Sequence, residues 1–255
     1  MKKVLVTGMS GLIGGAVRRR LEGRYELTAL NRRDVAGVRT VQADIADLAA
    51  IEAAFAGQEV VVHLAAVVSG EAGWDDVLRY NVVGAYNVFE AARRAGVARV
   101  IFASSGMAMG GYARQFPYNA LLGGRYDEVP QPWPMLTHES LPYPAGLYGV
   151  SKVWGEQLAR HFADATPMSM ICLRYGVVNQ ADRPTEPRHF PIWCSQRDAA
   201  QMVERSIEAP ADLKYDIFFV TSDNQWGYRD LSHAYQTVGY KPLDSAETYR
   251  LATDS

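Results

Sequence analysis

The chain has 255 residues, 48% of them hydrophobic and 21% charged, with a net charge of −2. One large α/β domain of this length buries roughly 75% of its unfolded surface and needs no disulfide staples. The near-neutral balance offers no footprint for nucleic acid or an anionic membrane. Cys172 and Cys194 form no CxxC pair, and the longest apolar run, 60–68, falls far short of the ~20 residues of a membrane helix. A cytoplasmic protein with reduced thiols is expected.

Residues 3–7 read as a short buried strand. Residues 12–21 read as a helix, with Arg18, Arg19 and Arg20 at its end, where cations suit the dipole. Strands follow at 25–30 and 39–42, a helix at 47–55, and a valine-rich strand at 59–65. A long helix at 74–95 is stopped by Gly96 and followed by a strand at 99–103. Past residue 146 the alternation resumes: helix 147–162, strand 168–174, helix 194–208, strand 216–220 and a last helix over 227–238. Strands separated by helices predict right-handed βαβ units and a parallel sheet covered on both faces.

The segment 110–146 interrupts this pattern with six prolines and six aromatic residues. It is too long for an ordinary connection and too aromatic for a disordered one. Two expectations stand: it folds over the active-site mouth and supplies aromatic walls, or it packs elsewhere, for instance on a partner subunit. The stretch 179–191 reads as a second loop over the site. His63 is expected to pack at a strand end, His138 and Glu139 to be solvated, and His161 to suit a helix C-terminus. No cluster has metal-ligand spacing.

The first strand runs into the first helix through Thr7-Gly8-Met9-Ser10-Gly11-Leu12-Ile13-Gly14. Gly8 permits the tight turn, Gly11 lets backbone approach a pyrophosphate, and Gly14 lets the helix pack closely. Unpaired N–H groups at the helix start then face the phosphates. The fold class expected is therefore α/β, a Rossmann-type doubly wound parallel sheet. Residues 1–174 form the dinucleotide-binding domain, with the insert 110–146. Residues 175–255 form a small substrate-binding part interleaved with it. Far along the chain, Tyr148 and Lys152 lie four apart on one helix and so share a face.

The glycines fall at intervals of three and three. Asp44-Ile45 follows the third strand, and His63-Leu64-Ala65-Ala66 ends the fourth. Asn81-Val82-Val83-Gly84-Ala85-Tyr86-Asn87 lies on the long helix. Ser104-Ser105 ends the fifth strand, and Tyr148-Gly149-Val150-Ser151-Lys152 and Gly239-Tyr240-Lys241-Pro242 follow. This ordered set resembles the extended branch of the short-chain dehydrogenase/reductase superfamily, the epimerase/dehydratase family, over nearly the whole chain outside 110–146. The resemblance implies catalysis by Ser105, Tyr148 and Lys152. It implies a nicotinamide dinucleotide held by Gly8, Ser10, Gly11, Leu12, Ile13, Gly14, Asn31, Arg32, Asp44, Ile45, Leu64, Ala65, Ala66, Asn81, Ala103, Tyr148, Lys152, Tyr175 and Val177.

A free phenol, with a pKa near ~10, is a poor base at neutral pH. The Lys152 ammonium is expected to lower that value, so that Tyr148 takes the substrate hydroxyl proton while hydride leaves for the nicotinamide. Ser105 holds the same oxygen. Asn31 stands where NAD-specific relatives carry an acid for the ribose 2′-hydroxyl, and Arg32 and Arg33 follow it. An arginine there suits a 2′-phosphate, which makes NADP the first choice and NAD the second.

Phe102-Ala103-Ser104-Ser105, the stretch 146–152 and the short C-terminal part most resemble uronate dehydrogenases. That resemblance implies substrate contacts from Ser105, Gly106, Met107 and Arg188, the last for a carboxylate. Gly106 and Met107 depart from it, replacing an asparagine and a histidine, and Val177 replaces a polar residue. Fewer polar groups point to a small-molecule substrate more apolar than a hexuronate. An epimerase or dehydratase using tightly held NAD is the alternative. It is weakened by the absence of an Asp-Glu pair after the fifth strand and by the short C-terminal part. A non-catalytic dinucleotide sensor would need none of Ser105, Tyr148 and Lys152. The resemblance also implies a homodimer through the helices at 74–95 and 147–162, with Val82, Tyr86, Phe89, Val153 and Trp154 among the apolar residues there.

Overall fold

The computed structural model describes residues 1–68 and 73–250. Its strands are β1 (Lys3–Thr7), β2 (Glu26–Asn31), β3 (Arg39–Gln42), β4 (Val60–His63), β5 (Arg99–Ser105), β6 (Ser169–Tyr175) and β7 (Tyr215–Val220). They form one sheet in the order β3-β2-β1-β4-β5-β6-β7, and every pairing is parallel. The strand order reverses at β1, where the chain crosses from one half to the other and opens a crevice at the strand C-termini. The Rossmann-type fold expected from the sequence is the one observed.

Successive strand residues face opposite sides, so each strand feeds two cores. Val4, Val6 and Ile101 pack with Val17 and Leu21 of α1 (Leu12–Leu21), beside Val203 and Ile207 from later in the chain. Leu5, Val100 and Phe102 pack on the other side with Phe55, Phe89 and Phe162. Phe89 stands edge-on to both Phe102 and Phe162, with centroids 5.5 and 5.8 Å away. Each fully buried side chain of this kind contributes about 1.5–3 kcal/mol, and Phe102→Ala would cost about 3–5 kcal/mol.

The remaining helices are α2 (Leu48–Ile51), α3 (Trp74–Asp76), α4 (Gly84–Arg94), α5 (Tyr118–Leu122), α6 (Gly146–Ala165), α7 (Gln196–Ile207) and α8 (Ser232–Val238). Asp47 caps α2 by accepting from Ala50 N, and Ser195 caps α7 by accepting from Asp198 N. Helix α8 ends on Gly239, whose φ of 67° lies in the left-handed region that a side chain disfavours.

Three expectations are corrected. The long helix is not uniform: Val77–Val83, between α3 and α4, is a π-helical segment. Helix α8 begins at Ser232 rather than near 227, because Tyr228 and Asp230 spend their backbone groups on Leu136. The insert is not structureless. It holds a 3₁₀ stretch (Gly106–Arg114), α5 and a second 3₁₀ turn (Tyr126–Glu128). Its apolar residues Tyr118, Leu121, Val129 and Leu136 form a third core with Met109 just before it, Phe219 of β7 and Tyr228. Tyr126, Trp226 and Trp133 stack in turn, and Trp133 Nε1 donates to Gly227 O at 3.0 Å. The aromatic groups expected to wall the pocket are largely used to weld the insert to the C-terminal part.

Candidate active site

A cavity of about 560 Å³ lies along the C-terminal strand ends, within the ordinary size range of cofactor sites. Its floor at one end is the glycine turn. A Cβ on Gly14 would sit 2.5 Å from Gly8 O and 2.6 Å from the Met9 backbone, and one on Gly8 would sit 2.8 Å from Ala65 N. The backbone therefore occupies the space that side chains would otherwise fill. Gly11 caps α1 without a side-chain hydrogen bond, so the first N–H groups of the helix remain open to an anion. Further along, Asn31 is buried with both side-chain polar atoms unpartnered. Orphaned donors and acceptors at the end of β2 fit a ligand that carries ribose hydroxyls.

At the other end lie Ser105, Tyr148 and Lys152. Ser104 and Ser105 both border the cavity, but strand alternation sends their hydroxyls to opposite faces of the sheet. Ser104 Oγ donates to Glu156 Oε1 at 2.6 Å, and Ser105 Oγ accepts from Met107 N at 3.1 Å. Helix α6 brings Tyr148 and Lys152 to one face. Lys152 is buried; its Nζ donates to Ala103 O at 2.8 Å and lies 4.9 Å from the Phe102 ring and 5.4 Å from the Tyr148 ring. Burial draws its pKa down to about 8, with Glu156 one turn along α6 resisting.

The expectation that Lys152 depresses the Tyr148 pKa is corrected. Burial raises the phenol above its ordinary value, and the Ser105 hydroxyl only partly offsets this. The Lys152 ammonium is directed at the Ala103 carbonyl. Glu156 is itself fully buried in a fork with Arg174: Nε and Nη2 each donate at 2.8 Å. That pair locks α6 to β6, while the Ser104 bond locks α6 to β5. Sequence reading missed Glu156 and Arg174; the lone signal was a glutamate one turn after Lys152.

The parallel sheet in this order, the glycine cradle and the facing Ser105, Tyr148 and Lys152 agree with a family match. The model of the NAD dependent epimerase/dehydratase family matches residues 4–201. The chain belongs to that family. It is 36% identical to a uronate dehydrogenase from Agrobacterium fabrum, over 98% of this chain and 88% of that one. It is 31% identical to an L-arabinose 1-dehydrogenase (NAD(P)(+)) from Haloferax volcanii, over 97% and 99%. The crystal structure of uronate dehydrogenase from Agrobacterium tumefaciens superposes with a TM-score of 0.84 at 33% identity, covering 99% of this chain and 88% of that one.

Within this family member, the residues expected at the cofactor distribute unevenly. Gly8, Ser10, Gly11, Leu12, Ile13, Gly14, Asn31, Arg32, Asp44, Ile45, Leu64, Ala65, Ala66, Ala103, Tyr175 and Val177 all line the cavity. Asn81 does not. Its amide is spent on Val67, accepting from N at 2.8 Å and donating to O at 2.9 Å, and on Ser151 Oγ at 3.2 Å. It fixes the loop after β4 against α6. Gly106 and Met107 lie beyond the cavity lining, and the Arg188 side chain is 66% exposed and paired with Glu186 at 2.8 Å.

His63 packs as expected, 2.7 Å from Thr7 Oγ1 and against Phe89 and Phe102. Burial pulls its pKa down to about 3. His138 is not simply solvated: its ring stacks on His233 at 3.6 Å, and His233 Nε2 lies 2.7 Å from Asp216 Oδ1. Phe89 is fully buried among Phe102 and Phe162, which removes it from any subunit interface. Among the described residues no helix is long and apolar enough to cross a membrane.

Proposed function

We propose that this chain is an NAD(P)-dependent dehydrogenase that moves a hydride between a nicotinamide dinucleotide and an alcohol or carbonyl carbon of a sugar-like substrate. The observation that carries the reading is the meeting of Ser105, Tyr148 and Lys152 at one end of a cavity whose other end is the glycine turn. A bound dinucleotide supplies the hydride acceptor. The Ser105 hydroxyl would hold the substrate oxygen, and Tyr148, once ionised to the phenolate, would take its proton. Lys152, ionised at neutral pH with its pKa near 8, keeps a positive charge behind the phenol. Glu156, bonded to Ser104 and Arg174, keeps α6 in register with β5 and β6 so that these groups stay aligned.

The relatives' names supply the sugar-like substrate class. NADP is the first choice of cofactor. Asn31, Arg32 and Arg33 line the adenosine end, and the Arg32 guanidinium is held 5.3 Å over the Tyr80 ring. NAD is the second reading, which the family description favours. Residues 1–174 would bind the dinucleotide and 175–255 the substrate. A homodimer is favoured by exposed Leu78, Val83 and Tyr86 on the long helix and Leu147 and Val150 on α6. A cytoplasmic setting suits the two buried free cysteines.

The test is cofactor reduction, followed by nicotinamide absorbance, with NAD and NADP against a panel of aldoses and uronates. Net reduction with at least one sugar is expected. Sugar turnover without net cofactor change would instead establish the epimerase or dehydratase alternative.

A further inference from the structure

Arg229 lies between β7 and α8, where its backbone bridges to Leu136 of the insert. It is 7% exposed. Its guanidinium rests against Gly106, where a Cβ would collide with Nη2 and Cζ. Phe219 and Tyr228 flank it, each ring centroid 5.8 Å from Cζ. Nε and Nη1 are buried without a hydrogen-bond partner.

The protein treats its other buried guanidinium groups differently. Arg174 has the Glu156 carboxylate. Arg99 donates to Ser169 Oγ and to the carbonyls of Ser206, Ile207, Ala209 and Pro210. Arg229 has no carboxylate: only the Tyr228 phenol and the Cys194 thiol favour its charge, and Arg174 opposes it. A buried cation left without a counter-charge is costly. Such an arrangement becomes favourable when a ligand brings the anion. Gly106 directly follows Ser105, the residue facing the reacting oxygen, and its missing side chain is what leaves room for the guanidinium beside the site.

We propose that Arg229 is the specificity-determining residue of the substrate site, pairing its guanidinium with a carboxylate or phosphate on the sugar. This rests on the dehydrogenase reading above for the identity of the site. Arg188, exposed and already paired with Glu186, is not needed for that contact. The relatives described above are named for a charged and for a neutral sugar, so charge selection differs among proteins similar to this chain.

The test uses the enzyme saturated with NAD(P)H, so that added anions do not act at the pyrophosphate site. Thermal shift is measured with glucuronate, glucose 6-phosphate and glucose, for the wild type, Arg229→Met and Arg229→Lys. At least one of the two anions is expected to raise the melting temperature of the wild type, with glucose inert; which of them acts separates carboxylate from phosphate. Arg229→Met is expected to fold, because a methionine between Phe219 and Tyr228 removes an uncompensated charge. It should lose the anion shift, and Arg229→Lys should keep part of it. In turnover, Arg229→Met should lower kcat/KM for the anionic sugar relative to the neutral one at least tenfold, mainly through KM. An anion shift that survives Arg229→Met overturns the proposal. So does a wild type that no anion stabilises, or one that binds glucose equally well. If the anion shift behaves as expected but no sugar reduces the cofactor, the dehydrogenase reading fails and the Arg229 assignment stands.

Discussion

The glycine turn and the Ser105 end of the same cavity are built in different ways. The turn presents backbone from eight consecutive residues, 7–14, and its geometry depends on the Cβ atoms that Gly8 and Gly14 lack. The Ser105 end is assembled from β5, α6 and the end of β6, joined by side chains whose partners lie far apart in sequence. Ser104 reaches Glu156, and Glu156 reaches Arg174. A backbone cradle suits a cofactor shared across a family. A surface made of long-range side-chain contacts can be rebuilt for each substrate without disturbing that cradle.

The comparison is sharpened most by separating chemistry from binding. Tyr148→Phe should lower kcat by about 10²–10⁴-fold, the usual worth of a general base, while the dinucleotide Kd changes less than about threefold. A variant retaining more than a tenth of the rate would remove Tyr148 from the proton transfer. Next comes the support of the Ser105 end. Glu156→Ala leaves Arg174 buried and unpaired and should cost about 3–5 kcal/mol of unfolding free energy, measured by urea denaturation. A loss below about 1 kcal/mol would mean that the two ends are held equally by backbone.

At the cradle, Arg32→Ala should weaken NADP at least tenfold more than NAD, measured by titrating cofactor fluorescence; equal losses would assign the site to NAD. The smallest effect is a pH dependence centred on β4. His63 has a folded pKa near 3, below its ordinary 6.5, so the unfolded chain binds the extra proton between those values. Stability should therefore rise with pH across that window, by at most about 1.4 kcal/mol per unit from this group, and His63→Asn should flatten the slope. An unchanged slope would leave the acid sensitivity to other groups.

Much of the fold was legible because it is local. The β1 strand, the glycine turn and α1 are contiguous, and Tyr148 and Lys152 are separated by one helical turn. The cavity lining from Gly8 to Val177 was readable for the same reason, through motifs that each occupy a few neighbouring residues. What escaped was non-local. Nothing in the string around Trp133 says that it stacks on Trp226, and the prolines of the insert resembled an open loop until Phe219 and Tyr228 gave them a core to cover. Asn81 was misplaced at the cofactor because its spacing was visible and its partner Val67 was not. The Tyr148 titration was misjudged for a related reason: sequence shows the ammonium nearby, but the burial that raises the phenol belongs to the folded molecule.

The π-helical segment Val77–Val83 has a consequence for insertions and deletions. A wide turn carries one residue more than an α-helical turn over the same rise. Removing any one residue from 77–80 would let the segment close into an ordinary helix with its two flanks nearly in register, while Asn81, inside the segment and before Gly84, which is tight against Ile45, would turn about the axis. Asn81 could then no longer meet the loop after β4 and Ser151 together. Along this helix the count of residues matters as much as their kind: dropping Leu78 or Arg79 would cost the Asn81 contacts whatever side chain was lost with it.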